Sequence, residues 1–346
     1  MRFAFHDPRA DPAPAGWAEF TRTARLHPVW DYQLMGLEAW GARNPQLVVV
    51  AVEGDEIVAG MSVLVCRPRL SPRFAPAPGR WLLRPFWAEV YQPWLSGYPG
   101  IEFTPGFPAA DRRALVRDFE RALRRHLGPG LMGVLYRAID EELATVVDGL
   151  GRLVRRAEPT AVLENRFTTE EDWIATLPGR RRSGLRRRRR RIAEDPTLVV
   201  RGGPGRDDVG GAEVAGLIKA HRERYGKLVL DTRTFPSAGF LHTYVRRPDI
   251  HTLTYRDDNG RLLAVNTMLD HPDSPSLQHW AALPLDERGR GAGLYFDSYV
   301  RAVRFMAQRG AKELSAGRGM SELKQELGFQ PRALFAAAAP RPVLGR

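Results

Sequence analysis

Cysteine, lysine and long apolar runs are what this chain of 346 residues has least of. A single cysteine, Cys66, closes no intrachain disulfide and supplies no cysteine zinc cluster, which excludes disulfide scaffolds and zinc fingers. No stretch approaches the ~20 uncharged apolar residues that a membrane-spanning helix needs. The opening MRFAFHDPRADPAPAG lacks the apolar core of a secretory signal, so a cytoplasmic location is expected. No cluster of His, Asp or Glu has the spacing of metal ligands and no serine sits in a nucleophile-elbow setting, so neither a metal site nor serine-hydrolase chemistry is expected.

Lysine occurs only at Lys219, Lys227, Lys312 and Lys324, so arginine carries nearly all of the 52 basic residues that oppose 40 acidic ones. Codon bias of a GC-rich genome accounts for that skew before function does. Location is more telling than the total. Between Pro178 and Arg206 stand 11 arginines against Glu194 and Asp195, which places three-quarters of the net charge of +12 in one short segment. Such a concentration favours polyanionic partners.

With 43% hydrophobic and 27% charged residues the chain should fold, and its length suits two domains. Asp31 can cap a helix with Leu34, Leu37 and Trp40 on one side, ended by Asn44-Pro45. Leu47–Val52 and Ile57–Arg67 read as strands around Glu53-Gly54-Asp55-Glu56, and a helix is expected from Asp111 to His126. His251–Arg256 and Arg261–Asp270 form a second hairpin around Asp257-Asp258-Asn259-Gly260. Laying Ala59-Gly60-Met61-Ser62 over Ala264-Val265-Asn266-Thr267 aligns the two turns within one residue, as duplication of one α/β unit would. Thr168 and Glu171 have capping-box spacing ahead of the arginine helix.

From Ser276 to Leu283 an expected strand gives way to Arg288-Gly289-Arg290-Gly291-Ala292-Gly293 and then to a helix that spaces Tyr295, Tyr299, Val303 and Met306 for burial. Glycines let backbone amides approach a phosphate, and a helix N-terminus adds unpaired N–H groups, so this is an anion cradle or a tight connection. It is no P-loop, since no Gly-Lys-Ser/Thr follows. Arg288-x-x-Gly291-x-Gly293 resembles the pyrophosphate signature of GNAT acyltransferases, and Leu327-Gly328-Phe329-Gln330-Pro331 resembles that family's C-terminal segment. The Trp173–Leu177 opener, the arginine run, and Arg318-Gly319 followed by Lys324 resemble the tandem branch that includes FemABX-like peptidyl transferases.

The resemblance implies an α/β fold of two GNAT-like domains, each a twisted mixed sheet flanked by helices, with an interdomain cleft. The expected division is an N-terminal domain over 1–165, an arginine-rich helical connector over 166–195 and a C-terminal GNAT domain over 196–346. It also implies direct attack of a neutral amine on an ester or thioester carbonyl, with aminoacyl-tRNA, acyl-CoA or a phosphopantetheine thioester as co-substrate and no permanently bound cofactor.

Site residues follow from these readings. Arg288, Gly289, Arg290, Gly291, Gly293 and Arg318 are candidates for the donor's phosphate, and the family pattern puts Lys324 near the donor's phosphate or reacting ester. His279 and Tyr295 are candidates for proton transfer, with Asp297 and Asp270 behind them. Tyr225 and Asn266 are candidate substrate contacts. Arg180, Arg181, Arg182 and Arg186, Arg187, Arg188, Arg189, Arg190, Arg191 cover every face of a helix around Leu185 and Ile192, so most are solvated or face an anion. Three functions remain open: an aminoacyltransferase using tRNA on an amine acceptor, an N-acyltransferase using acyl-CoA or an acyl carrier protein, and a GNAT-fold binding protein without catalysis. Tandem arginines also suit peripheral contact with acidic lipid.

Overall fold

In a computed structural model, residues 1–42, 44–67, 85–224, 235–284 and 291–346 are described. The chain divides into two compact units: Met1–Pro159 with Ala333–Arg346, and Thr160–Arg332. The last segment groups with the first unit and the arginine helix with the second. Among the described residues, no helix is long and apolar enough to cross a membrane.

The first unit runs β1 (Arg2–His6), α1 (Trp17–Thr23), α2 (Tyr32–Gly41), β2 (Gln46–Glu53), β3 (Glu56–Cys66), β4 (Phe86–Val90), β5 (Ile101–Phe103), α3 (Ala109–Leu127), β6 (Leu131–Ile139) and α4 (Glu141–Val147), and then enters β7 (Leu153–Glu164). Asp31 caps α2 as expected, accepting from the Leu34 amide at 2.9 Å. Its buried stripe is Leu34, Met35, Glu38 and Ala39, a rotation that turns Trp40 outward at 65% exposure, against the expected face. β2 and β3 pair as the expected hairpin, and α3 packs Leu115, Val116, Phe119 and Leu123 on the sheet.

The second unit continues through α5 (Glu170–Thr176), α6 (Gly179–Glu194), β8 (Leu198–Pro204), α7 (Gly211–Arg224), α8 (Ala238–Val245), β9 (Ile250–Asp257), β10 (Leu262–Leu269), β11 (Ser276–Ala282), α9 (Gly291–Arg309), β12 (Glu313–Ser315) and α10 (Ser321–Glu326). β13 (Gln330–Pro340) then leads back to the first unit. The capping box forms one residue later than expected, at Thr169 and Asp172, because Thr169 is the extended residue before the first turn of α5.

Both units use the same strand order. In the first, β1, β2, β3 and β4 pair antiparallel, β6 joins β4 in parallel and β13 closes antiparallel on β6. In the second, β8, β9, β10 and β11 pair antiparallel, β12 joins β11 in parallel and Val162–Glu164 of β7 closes antiparallel on β12. The aligned hairpins β2–β3 and β9–β10 occupy equivalent places, as duplication requires.

Helix α7 is held to α8 by backbone approach at Gly211, where a β-carbon would meet Ala238 O and His242 N, both at 2.4 Å. Gly216, in the same helix, has nothing within 4 Å of that position. Gly211→Ala is therefore expected to cost about 3 kcal/mol, the upper end for overpacking. Gly216→Ala should gain roughly 0.5–1 kcal/mol from helix propensity. Urea midpoints of the two variants check both.

Candidate functional site

The two parallel strand pairs differ, and the difference makes a site. In the first unit β4 and β6 pair from Phe86 to Val90, with one register shift between Phe86 and Ala88. In the second, β11 and β12 share one position, Ser276 with Ser315, and β11 runs on to Ala282 without a β12 partner among the described residues. The chain after β12 turns to β7 instead: the Ala316 amide donates to Ala161 O at 2.8 Å and the Ala161 amide donates to Gly317 O at 3.0 Å. Beyond Ser276 one edge of β11 has no strand partner among the described residues, and at its end the Ala282 main chain is bonded by the His221 and Arg224 side chains of α7. Gln278 is a bulge on that strand, since Thr267 faces His279 while Met268 faces Leu277.

Lys324 holds this opening. Its side chain is buried, and Nζ donates to Ala316 O at 2.7 Å and to Gly317 O and Arg318 O at 3.1 Å. Its three N–H bonds are directed at the loop that carries Arg318, so the ammonium fixes that loop instead of projecting toward a donor. The Leu327–Phe329 segment is equally internal. Trp173 Nε1 donates to Leu327 O at 2.9 Å, Phe329 packs edge-on to Tyr299, and Gly328 takes φ +84°.

Helix α9 begins at Gly291, and α6 lies across its first turns: a β-carbon at Gly293 would meet Ile192 Cδ1 at 3.6 Å and Arg188 Cβ at 3.8 Å. Leu185 is the buried anchor of α6. The guanidiniums of Arg188 and Arg181 stand over the Phe296 ring at 4.5 and 5.3 Å. Burial, then the cations of Arg181 and Arg187, lower the Arg188 pKa, a tension that a bound anion relieves. A cavity of about 510 Å3 on this side is lined by Arg180, Arg181, Arg187, Arg188 and Glu326. A second, of about 470 Å3, is lined by Arg186, Arg189, Arg190, Arg301 and Arg304 with Glu171 and Asp297.

The arginines of α6 thus fall into two sets. Arg181 pairs with Glu326, Arg186 and Arg189 with Glu171, and Arg182 donates to Ala175 O. Arg180, Arg187, Arg190 and Arg191 are exposed and have no ion-pair partner among the described residues.

The remaining expected residues are placed as follows. Arg288, Gly289, Arg290 and Tyr225 lie outside the described residues. Tyr295 bonds the Tyr299 hydroxyl at 2.9 Å and packs edge-on to Trp280, and burial raises its pKa. His279 contacts Thr267 Oγ1 at 3.1 Å, and burial, followed by the Arg222 cation, pushes its pKa down to about 3. An imidazole so depressed is a weak proton acceptor near neutrality, which speaks against the general-base role expected for it. Asp297 accepts from Tyr255 Oη at 2.8 Å and from Arg301 Nε at 2.6 Å, and Asp270 pairs with Arg309. Asn266 is buried on β10, facing α9. Arg301 and Arg304 were not singled out in the sequence; their spacing toward α6 along α9 is the signal that finds them. Among the described residues, no group of three or more His, Cys, Asp or Glu is placed to hold a metal ion.

Residues 179–325 match the family model of an acetyltransferase (GNAT) domain. The chain carries a GNAT domain within a FemABX-like tandem GNAT fold. Three solved structures are similar to this chain. L-PGS from Bacillus licheniformis has a TM-score of 0.60 at 10% identity, over 97% of this chain and 98% of that one. The C-terminal domain of a putative lysylphosphatidylglycerol synthetase from Agrobacterium fabrum gives 0.59 at 12%, over 94% and 92%. FemX gives 0.58 at 12%, over 97% of each. No curated protein sequence matches this chain. Residues 179–325 are therefore a GNAT-superfamily transferase domain.

His279 gives a pH test. With its folded pKa at about 3 against 6.5 for a free imidazole, the unfolded chain binds this proton first, so its contribution to stability is lost as pH falls from 6.5 toward 3. His279→Asn should make the slope of unfolding free energy against pH shallower by about one proton between pH 4 and 6, roughly 1.4 kcal/mol per pH unit. Urea titrations across that range measure it.

Proposed function

We propose that the chain is an amide-forming aminoacyltransferase that moves an aminoacyl group from aminoacyl-tRNA to an amine acceptor such as a peptide, a cell-wall precursor or a natural product. The observation that carries this reading is α6, a helix about 24 Å long. Its exposed Arg180, Arg187, Arg190 and Arg191 have no ion-pair partner among the described residues, and its flanks border two arginine-lined cavities. One pyrophosphate needs far less positive surface than that.

In this mechanism the neutral amine nitrogen attacks the aminoacyl ester carbon, the new C–N bond forms and the C–O bond to the terminal ribose breaks. The departing oxygen gains a proton as the amine loses one, so the exchange is balanced without a covalent enzyme intermediate. Main-chain N–H groups on the open edge of β11 are suited to stabilise the developing oxyanion. Arg288–Gly293 and the first turn of α9 take the donor's phosphate, Tyr225 meets the substrate, and Lys324 positions the loop bearing Arg318. Rate enhancement then rests on proximity and electrostatics more than on a side-chain base.

A second reading, an N-acyltransferase using acyl-CoA or an acyl carrier protein thioester, is favoured by the open edge itself. Main-chain groups along β11 match the amides of an extended phosphopantetheine arm.

Replacing Arg180, Arg187, Arg190 and Arg191 with alanine tests the first reading without removing an ion pair from the fold. The slope of log K for tRNA against log salt should fall by about 3, at 0.7 to 0.9 per phosphate contact. An unchanged slope in filter binding would count against tRNA, and saturable CoA binding lost in Arg288→Glu would make a thioester the donor.

A further inference from the structure

A cavity of about 370 Å3 lies under the second half of α9, facing β8, β9 and β10. Its helix residues, Ser298 to Gln308, sit two to five turns beyond Gly291. The cavity exists because β8 offers no side chain there: Gly202 stands opposite Leu253 in the register.

Two rungs of the sheet form its floor. Leu253, Asn266 and Trp280 make one, and His251, Met268 and Leu277 the next. The Tyr255 hydroxyl donates to Asp297, and the His251 ring packs on Phe305 at 4.2 Å. These contacts set the Asn266 rung beneath Ser298 and Arg301 and the Met268 rung beneath Ala302 and Phe305. The cavity therefore has Asn266 and Arg301 at one end and an apolar patch of Met268, Leu277 and Phe305 at the other, with His251, Arg304 and Gln308 also in its lining.

The polar end is unsatisfied. Asn266 is 5% exposed, lines the cavity, and has no hydrogen-bond partner among the described residues. Arg301 gives Nε to Asp297, while its two terminal nitrogens have no partner among the described residues. The amide is thus presented to the cavity and makes no hydrogen bond that holds the fold among the described residues. Asp297 already has its charge matched by Arg301, and Arg304 at the rim is paired with Glu170.

We propose that this cavity binds a hydrophobic carboxylate. Its carboxylate accepts from Asn266 Nδ2 and the terminal nitrogens of Arg301, and its apolar body lies against Met268, Leu277 and Phe305. The volume is within the range of small-molecule sites. This site is independent of the donor's identity, since its occupancy is read with no acyl or aminoacyl donor present.

Calorimetric titration of the full chain with octanoate tests the proposal. Saturable one-to-one binding is expected, with methyl octanoate and octanol at least about 10-fold weaker. Asn266→Leu and Arg301→Gln should each weaken octanoate about 10-fold or more. Asn266→Leu should leave the thermal midpoint little changed, because the amide makes no hydrogen bond to the fold among the described residues. Absence of saturable binding, equal binding of the methyl ester, or unchanged affinity in Asn266→Leu would overturn the assignment. Should Asn266→Leu fail to fold, Arg301→Gln, a half-exposed rim position, decides on the same criterion.

Discussion

The buried ammonium of Lys324 is the constraint around which the second unit is arranged. A charge out of water is tolerated only with its hydrogen bonds complete, and here Ala316, Gly317 and Arg318 supply three carbonyls at 2.7 to 3.1 Å. Those carbonyls must converge on one point, so residues 316–318 cannot continue alongside β11. The turn that results gives their remaining hydrogen bonds to Ala161 and leaves β11 without a strand partner beyond Ser276 among the described residues. In a chain that chooses arginine almost everywhere, a compact ammonium at this position has a geometric reason: three carbonyls can converge on a point charge, whereas a planar guanidinium spreads its donors.

The same strand order occurs twice, yet only one copy is open. The first unit keeps β4 and β6 paired over Phe86–Val90 and fills its interior with Val63, Phe119 and Tyr136. The second parts β11 from β12 after one residue pair and packs the arginine helix against the first turns of α9. A repeated scaffold has thus kept its packing in one copy and given up strand pairing in the other, where a guest can take the place of a strand. Loss of main-chain pairing in a core is costly unless something else occupies those groups.

Local chemistry was legible in the sequence and distant chemistry was not. The two hairpins, the Asp31 cap, α3 and the strand-to-helix passage at Gly291 follow from turn residues and periodicity within a few positions of one another. The capping box slid by one residue because Thr168 and Thr169 offer the same hydroxyl, and only backbone conformation chooses between them. Trp40 points outward because the buried stripe of α2 runs through Leu34 and Glu38, a phase fixed by what the helix meets. The placement of β7 and β13, the burial of Lys324 and the convergence of Arg301 on Asn266 join residues far apart in sequence. His279 reads as a base on its strand, and its surroundings depress it.

Six successive guanidiniums on one helix, Arg186 to Arg191, repel one another, and Glu170 and Glu171 offset only part of that charge. Dissolved salt screens this repulsion and so supports α6 in the empty protein. The same salt competes for a polyanion that would lie along the helix and weakens its hold. Ionic strength therefore acts with opposite sign on the free and the occupied molecule. A polyanion laid along this helix would supply the counter-charge that the free protein takes from salt.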